Sequence, residues 1–224
     1  MKTIIFLAFT CYVQITYGQD CKSLYYLQSN KIVEMTIYNK KGDESAKQIY
    51  SISEVKNEGS SVSSTVNAEM FDKNGKSVAK TSDKIQCSGG ILKIDMKMFI
   101  PSQQMAQMKN AEATATAAYL EYPATMKVGD KLPDGKFSMD YINNGMAGTM
   151  EISMTDRSVD AKETITSPAG TWEAFKITYN SKIKMKIAGI GIPVNAEVTE
   201  WYVPDFGIVK TQSKYGSTLI TAIH

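Results

Sequence analysis

The sequence predicts an all-β fold, an antiparallel meander forming a barrel or strongly curved sheet, with one short helix near 103–111. Three observations carry that prediction. From Phe175 to Ile187 the odd positions Phe175, Ile177, Tyr179, Ile183, Met185 and Ile187 are mostly apolar, while Lys176, Thr178, Asn180, Lys182, Lys184 and Lys186 are polar. A period of two is that of a strand with one buried face. Short turn signatures recur between runs of this kind, so sequential neighbours pair as hairpins rather than as βαβ units. No composition shift marks a linker, which leaves one domain over residues 19–224.

Residues 1–18 stand outside that domain. Lys2 gives a positive start, TIIFLAFTCYV an apolar core, and Thr16-Tyr17-Gly18 small residues at the −3 and −1 positions of a cleavage site, together a secretory signal peptide. The stretch is too short for a membrane span, and no other run reaches the roughly 18 apolar residues that a transmembrane helix needs. Cys11 lies inside the apolar core and Cys21 follows Asp20, so lipidation is the weaker option. The expected location is the periplasm, or an extracellular or outer-membrane-associated site.

Loss of Lys2 leaves 24 of the 25 basic side chains against 23 acidic ones. A net charge near +1 argues for neither nucleic acid nor an anionic membrane as partner. Cys21 and Cys87 are the cysteines that remain, and in an oxidising compartment an even pair forms a disulfide. Closing that loop contributes at most about 4 kcal/mol.

From Lys31 the elements follow in order. IVEMTIY, the turn Asn39-Lys40-Lys41-Gly42 and AKQIYSISEV form a first hairpin; SSVSSTVNAEMF, Asp72-Lys73-Asn74-Gly75 and KSVAKTSDKIQC form a second. Ser88-Gly89-Gly90 turns into ILKIDMKMF. After Pro101, Ser102 is an N-cap candidate, with Met105 and Met108 on one helical face; this is the helix of 103–111. TMKVGDKLPDGKF reads as a loop, punctuated by Gly129, Pro133 and Gly135. Ser167-Pro168-Ala169-Gly170 is a hairpin turn, Pro168 presetting φ and Gly170 supplying a left-handed residue. A two-residue turn at Gly189-Ile190 would set residue i against 379 − i, placing Lys182 across from Glu197, Lys184 from Asn195, Met185 from Val194 and Ile187 from Ile192.

The chemistry available is narrow. His224 is the only histidine and the last residue, which speaks against a triad or a histidine metal site, and no cofactor is implied. Carboxylate pairs such as Glu151 with Asp156, or Asp95 with Glu163, keep a hydrolase as a lesser alternative. Met96, Met98, Met105 and Met108 resemble thioether sites for Cu(I), but thioethers more often fill cores. Met146, Met150, Met154 and Met185 share an inward face and are candidate lining of an apolar cavity. The lysine stripe of 176–186 reads first as a solvated face. Arg157, the only arginine, calls for a carboxylate such as Asp160 or Glu163. Glu200 falls on the inward face opposite Tyr179. It is the candidate buried polar anchor, with Tyr179 donating a hydrogen bond and Arg157 or a lysine supplying charge. The expectation is a non-enzymatic envelope binding or assembly module whose partner is an envelope protein. The alternative is a carrier of an apolar ligand such as a lipid.

Cys21 near the mature N-terminus, YNKKG, IQCSGG with KIDMKMF, LEYPATMKVGDKLPDG, DRSV with ETITSPAGTWEAFKITY, and TEWYVPDFGIVKTQS occur in an order that resembles the TapB family of secreted, mostly β proteins of Gram-negative cell envelopes. The resemblance implies a signal-bearing meander barrel similar to the YmcC-like fold, and brings no catalytic residues with it. A Cys usual in that family shortly after the position of Trp172 has no counterpart in Glu173-Ala174-Phe175.

Overall fold

Among the described residues the alternating pattern folds into thirteen strands: β1 (Ile32–Asn39), β2 (Glu44–Glu58), β3 (Ser61–Asp72), β4 (Ser77–Ser88), β5 (Ile91–Asp95), β6 (Glu112–Ala115), β7 (Tyr119–Pro123), β8 (Gly135–Asn143), β9 (Met146–Ser167), β10 (Gly170–Ile187), β11 (Ile190–Val203), β12 (Gly207–Ser213) and β13 (Gly216–Ile223). They belong to a computed structural model that describes Cys21, Gln104 and residues 23–100, 112–115, 118–143, 145–187 and 190–224. Apart from Gln104, the helix expected over 103–111 lies outside the described residues.

All strands join one antiparallel sheet, in the order β6-β8-β9-β10-β11-β12-β13-β1-β2-β3-β4-β5-β7. Short hairpins make most sequential strands neighbours, β5 pairs with β7 and β6 with β8 instead, and the chain's first and last strands meet where β1 pairs with β13. The sheet curls until its edges approach, giving a nearly closed barrel. Side chains fill the seam. A Cβ on Gly135, at the start of β8, would lie 2.6 Å from Leu120 Cδ1 of β7 and 3.0 Å from Met96 Sδ. Only glycine lets the two edges come so close.

Hairpin topology gives the barrel two ends. Cys21 marks the near end, which also holds the turns at 59–60, 89–90, 168–169 and 204–206; the far end holds those at 40–43, 73–76 and 214–215, together with the end of β8, the start of β9, the end of β10 and the start of β11. A 3-10 turn at Tyr25–Leu27 packs against the near end, with Leu24 wholly buried. Tyr25 N donates to Asp205 O (2.8 Å), and Ser64 Oγ donates to Tyr26 O (2.6 Å). The expected disulfide joins Cys21 to Cys87, with Cα atoms 5.4 Å apart, and ties this segment to β4. The interior is apolar, built on Val33, Val66, Ile85, Leu92, Leu120, Ile177, Val209 and Ile220.

The turn at 168–169 forms as expected: Gly170 pairs with Ser167 at φ +148°, a value that favours glycine. The register of β10 with β11 corrects the expected one. Lys182 faces Asn195, Lys184 faces Pro193, Met185 faces Ile192 and Ile187 faces Ile190, so each partner is displaced by two residues. A displacement of two keeps every side chain on its own face, so alternation fixes register only to an even step. Gly191 settles it. Opposite Lys186, a Cβ on Gly191 would stand 2.8 Å from Lys186 Cγ and 3.1 Å from the Met185 carbonyl oxygen. Glycine is required inside the strand there, not beside the turn.

Candidate functional site

The interior of the second half holds a buried charge pair, and a bulge puts it there. Along β9 the even positions Met150, Ile152 and Met154 face inward. The pairing with β10 then shifts between Thr178 and Asn180, after which Arg157 and Val159 are the buried residues. Asp156 turns the strand at φ +58°, a left-handed value that Asp adopts more readily than most residues. Its amide donates to Asp134 Oδ1 (3.1 Å), and its carboxylate accepts from Asn180 Nδ2 (3.0 Å). Arg157 is thereby aimed across the seam. Its Nη1 donates to the carbonyl oxygens of Glu121 in β7 (3.0 Å) and Pro133 (2.8 Å). The guanidinium carbon lies 4.7 Å from the centre of the Tyr122 ring, which itself stacks on Tyr202 at 4.7 Å.

Glu200 meets Arg157 loosely, with Oε1 3.9 Å from Nη2 and both side chains wholly buried. Among the described residues, neither Glu200 oxygen, nor Arg157 Nε or Nη2, makes a hydrogen bond of good geometry, although the hydroxyls of Tyr122 and Tyr179 stand close to Glu200. Glu200 stands opposite Ile177, while Tyr179 stands opposite Val198; the two-residue displacement nevertheless leaves Glu200 and Tyr179 on one face. Burial pushes the Glu200 carboxyl above its usual range, partly opposed by the Arg157 charge and by the nearby hydroxyls of Tyr122 and Tyr179. Burial likewise raises both tyrosines. The carboxylates expected for Arg157 are engaged elsewhere. Asp160 accepts from Ser158 and Thr178, and Glu163 from Trp201 Nε1 (2.9 Å) and Lys176, because the bulge sends Arg157 inward while both acids stay on the outer face.

The four methionines of the inward face part company. Met150 and Met154 are buried and Met185 is half-buried, but Met146 is 55% exposed. Met146 reaches past the last residue of β10, which pairs at Gly148, so nothing in β10 stands beside it. The proposed carboxylate pairs do not converge either. Glu151 binds Lys186, Asp156 holds the bulge, Glu163 holds Trp201, and Asp95 lies at the end of β5.

A charge cluster missed in the sequence lies in a cleft of about 20 Å³ lined by Gln48, Tyr50, Thr81, Asp83, Lys97 and Met98. Lys97 Nζ bridges Asp83 (3.0 Å) and Asp95 (3.5 Å), and Asp95 also caps the 3-10 turn Met96–Phe99 by accepting from the Lys97 amide. Burial raises the Asp95 carboxyl. Burial alone would lower Lys97, but its hydrogen bond to Asp83 and the two negative charges carry it above its usual value. The inward alternation of β4 placed Asp83 among core positions, and that was the available signal. The cleft admits about one water, too little for a sugar ring.

The far end presents the opposite character. Ile142 (51% exposed), Met146, Ile187 (42%), Val194 (37%) and Tyr215 (55%) crowd its rim. Lys182 and Lys184 stand on the neighbouring outer face, and Lys186 there binds Glu151 at 2.6 Å.

These features define an antiparallel, nearly closed meander barrel with an ionic pair sealed inside and an apolar rim outside. Residues 28–217 match the DUF3108-like family, and the chain belongs to it. The architecture is shared with a crystal structure from Parabacteroides distasonis described as a lipoprotein: TM-score 0.74, 21% identity, covering 92% of this chain and all of that one. It is shared equally with a protein from Bacteroides fragilis described as exported and YmcC-like in fold: TM-score 0.70, 20% identity, covering 88% of this chain and 96% of that one. No curated protein matches the chain at a significant level.

Proposed function

We propose that the chain is a non-enzymatic binding or assembly module of the cell envelope, periplasmic or surface-associated, acting through the rim at the far end of its barrel. One contrast carries the reading. Arg157 and Glu200 are wholly enclosed, whereas large apolar side chains stand exposed together at the rim. An acid or base must reach its substrate to act, and a sealed pair does not; exposed apolar side chains gathered in one place mark contact surfaces. The leader, the Cys21–Cys87 disulfide and the TapB-like order of motifs support export. So do the descriptions of the two structural relatives as a lipoprotein and as exported. In this reading Arg157, Glu200 and Tyr179 are structural.

Met146, Met185, Ile187 and Val194 extend the inward face of β9 to β11 beyond the enclosed core, which favours carriage of an apolar ligand as the second reading. Mass spectrometry of lipids and proteins captured from envelope extract separates the two. A module retains a component that a variant carrying Ile142→Asp and Ile187→Asp loses. A carrier brings a stoichiometric lipid through purification. Retention of nothing by the wild-type chain contradicts both.

A further inference from the structure

The net charge of the chain conceals a separation that only the topology makes visible. Loops at the far end carry Lys40, Lys41, Lys73, Lys76 and Lys214 against Asp43, a balance of +4. Loops at the near end, including 28–31 and 124–134, carry Lys31, Lys127 and Lys131 against Asp130, Asp134 and Asp205, a balance of 0. Adding the acids that end adjoining strands, Glu44, Asp72 and Glu112 at the far end and Glu58 at the near end, gives +1 and −1. The same end holds the uncharged ends of β8 to β11: residues 142–150 and 187–194 contain no Asp, Glu, Lys or Arg. Ile142, Met146, Ile187 and Tyr215 are exposed at the same end.

We infer that the far end docks on an anionic lipid surface, Ile142, Met146 and Ile187 entering the interfacial layer while the lysine loops meet the headgroups. Uncharged aliphatic strand ends that share one end of the barrel with lysine-rich loops and an exposed tyrosine have the composition of an interfacial binder. Lysine stems reach down apolar flanks while the ammonium stays with the headgroups. A peptide adding as a strand fits less well. Among the described residues, β11 has no strand on its β12 side before Val198, but Pro193 removes a donor from that segment and Tyr215 donates to the Asn195 carbonyl (3.3 Å). The inference rests on the rim-binding reading above and names its partner.

Flotation of the purified chain, freed of residues 1–18, with phosphatidylglycerol/phosphatidylcholine vesicles and with phosphatidylcholine alone tests it. Binding is expected to the anionic vesicles only, and to be released by high salt. Ile142→Asp with Ile187→Asp, or Lys40→Glu, Lys41→Glu and Lys73→Glu together, should each weaken binding at least about tenfold. These positions are exposed, and unchanged melting curves verify that the variants fold. No vesicle binding, binding indifferent to lipid charge, or binding that survives both sets of substitutions overturns the inference. So does a concentration-dependent dimer, without vesicle binding, that Ile187→Asp disperses, since the rim would then meet a second copy. A component of envelope extract that is lost from the rim variant while vesicles remain unbound would discard the lipid surface and keep the binding module.

Discussion

Arg157 holds two strands that the ladder leaves apart. Its Nη1 bonds tie β9 to the Glu121 carbonyl of β7, at the opposite edge of the sheet, and to Pro133. Arg157→Met would leave both carbonyls buried without that donor and Glu200 without its neighbouring charge, so a loss of about 3 kcal/mol in urea denaturation is expected. Glu200 behaves differently. Burial raises its carboxyl, so ionising it costs stability as pH climbs from the ordinary carboxylate range through the folded value, and the cost vanishes below that range. Stability should therefore shift in favour of Glu200→Gln, relative to wild type, as pH is raised from about 4 to about 8. A difference that is flat over that range, or one that grows in favour of glutamate, contradicts the assignment. The inward face of Glu200 and Tyr179 was legible from alternation. The inward turn of Arg157 was not, because one left-handed residue at Asp156 changes the parity of everything after it.

Among the elements, hairpins were the most legible part of the fold, since Asn39–Gly42, Asp72–Gly75 and Ser167–Gly170 each carry their own turn chemistry. Register was legible only to an even step, and the close approach of Gly191 to Lys186 had no signature in the hydrophobic pattern. Gly135 is the corresponding point at the seam. Gly135→Val would overlap Leu120 and Met96, and a drop of about 1–3 kcal/mol is expected in the same denaturation assay. The Cys21–Cys87 link holds the N-terminal turn against β4. Replacing both cysteines with serine should lower the urea midpoint, by no more than about 4 kcal/mol in stability. An unchanged midpoint would mean that the turn docks without its covalent tie.

For the whole molecule, a meander converts sequence order into polarity, because alternate turns share an end. Overall charge balance argued against an anionic partner, yet the lysine-rich turns fall at the same end as the uncharged ends of β8 to β11. That asymmetry could be read from the sequence once topology was fixed, but not from composition. The exposure of Met146 and Ile187 was hidden as well, since both continue an alternation that reads as core until the neighbouring strand ends. The central claim is that the protein works from this rim and not from its interior. Amide hydrogen exchange with and without anionic envelope vesicles tests it directly. The account predicts slowed exchange at residues 142–147 and 187–194, with no change around Arg157 and Glu200 or in the Asp83–Lys97 cleft. Slowing confined to that cleft or to the interior, with both segments unaffected, would contradict it.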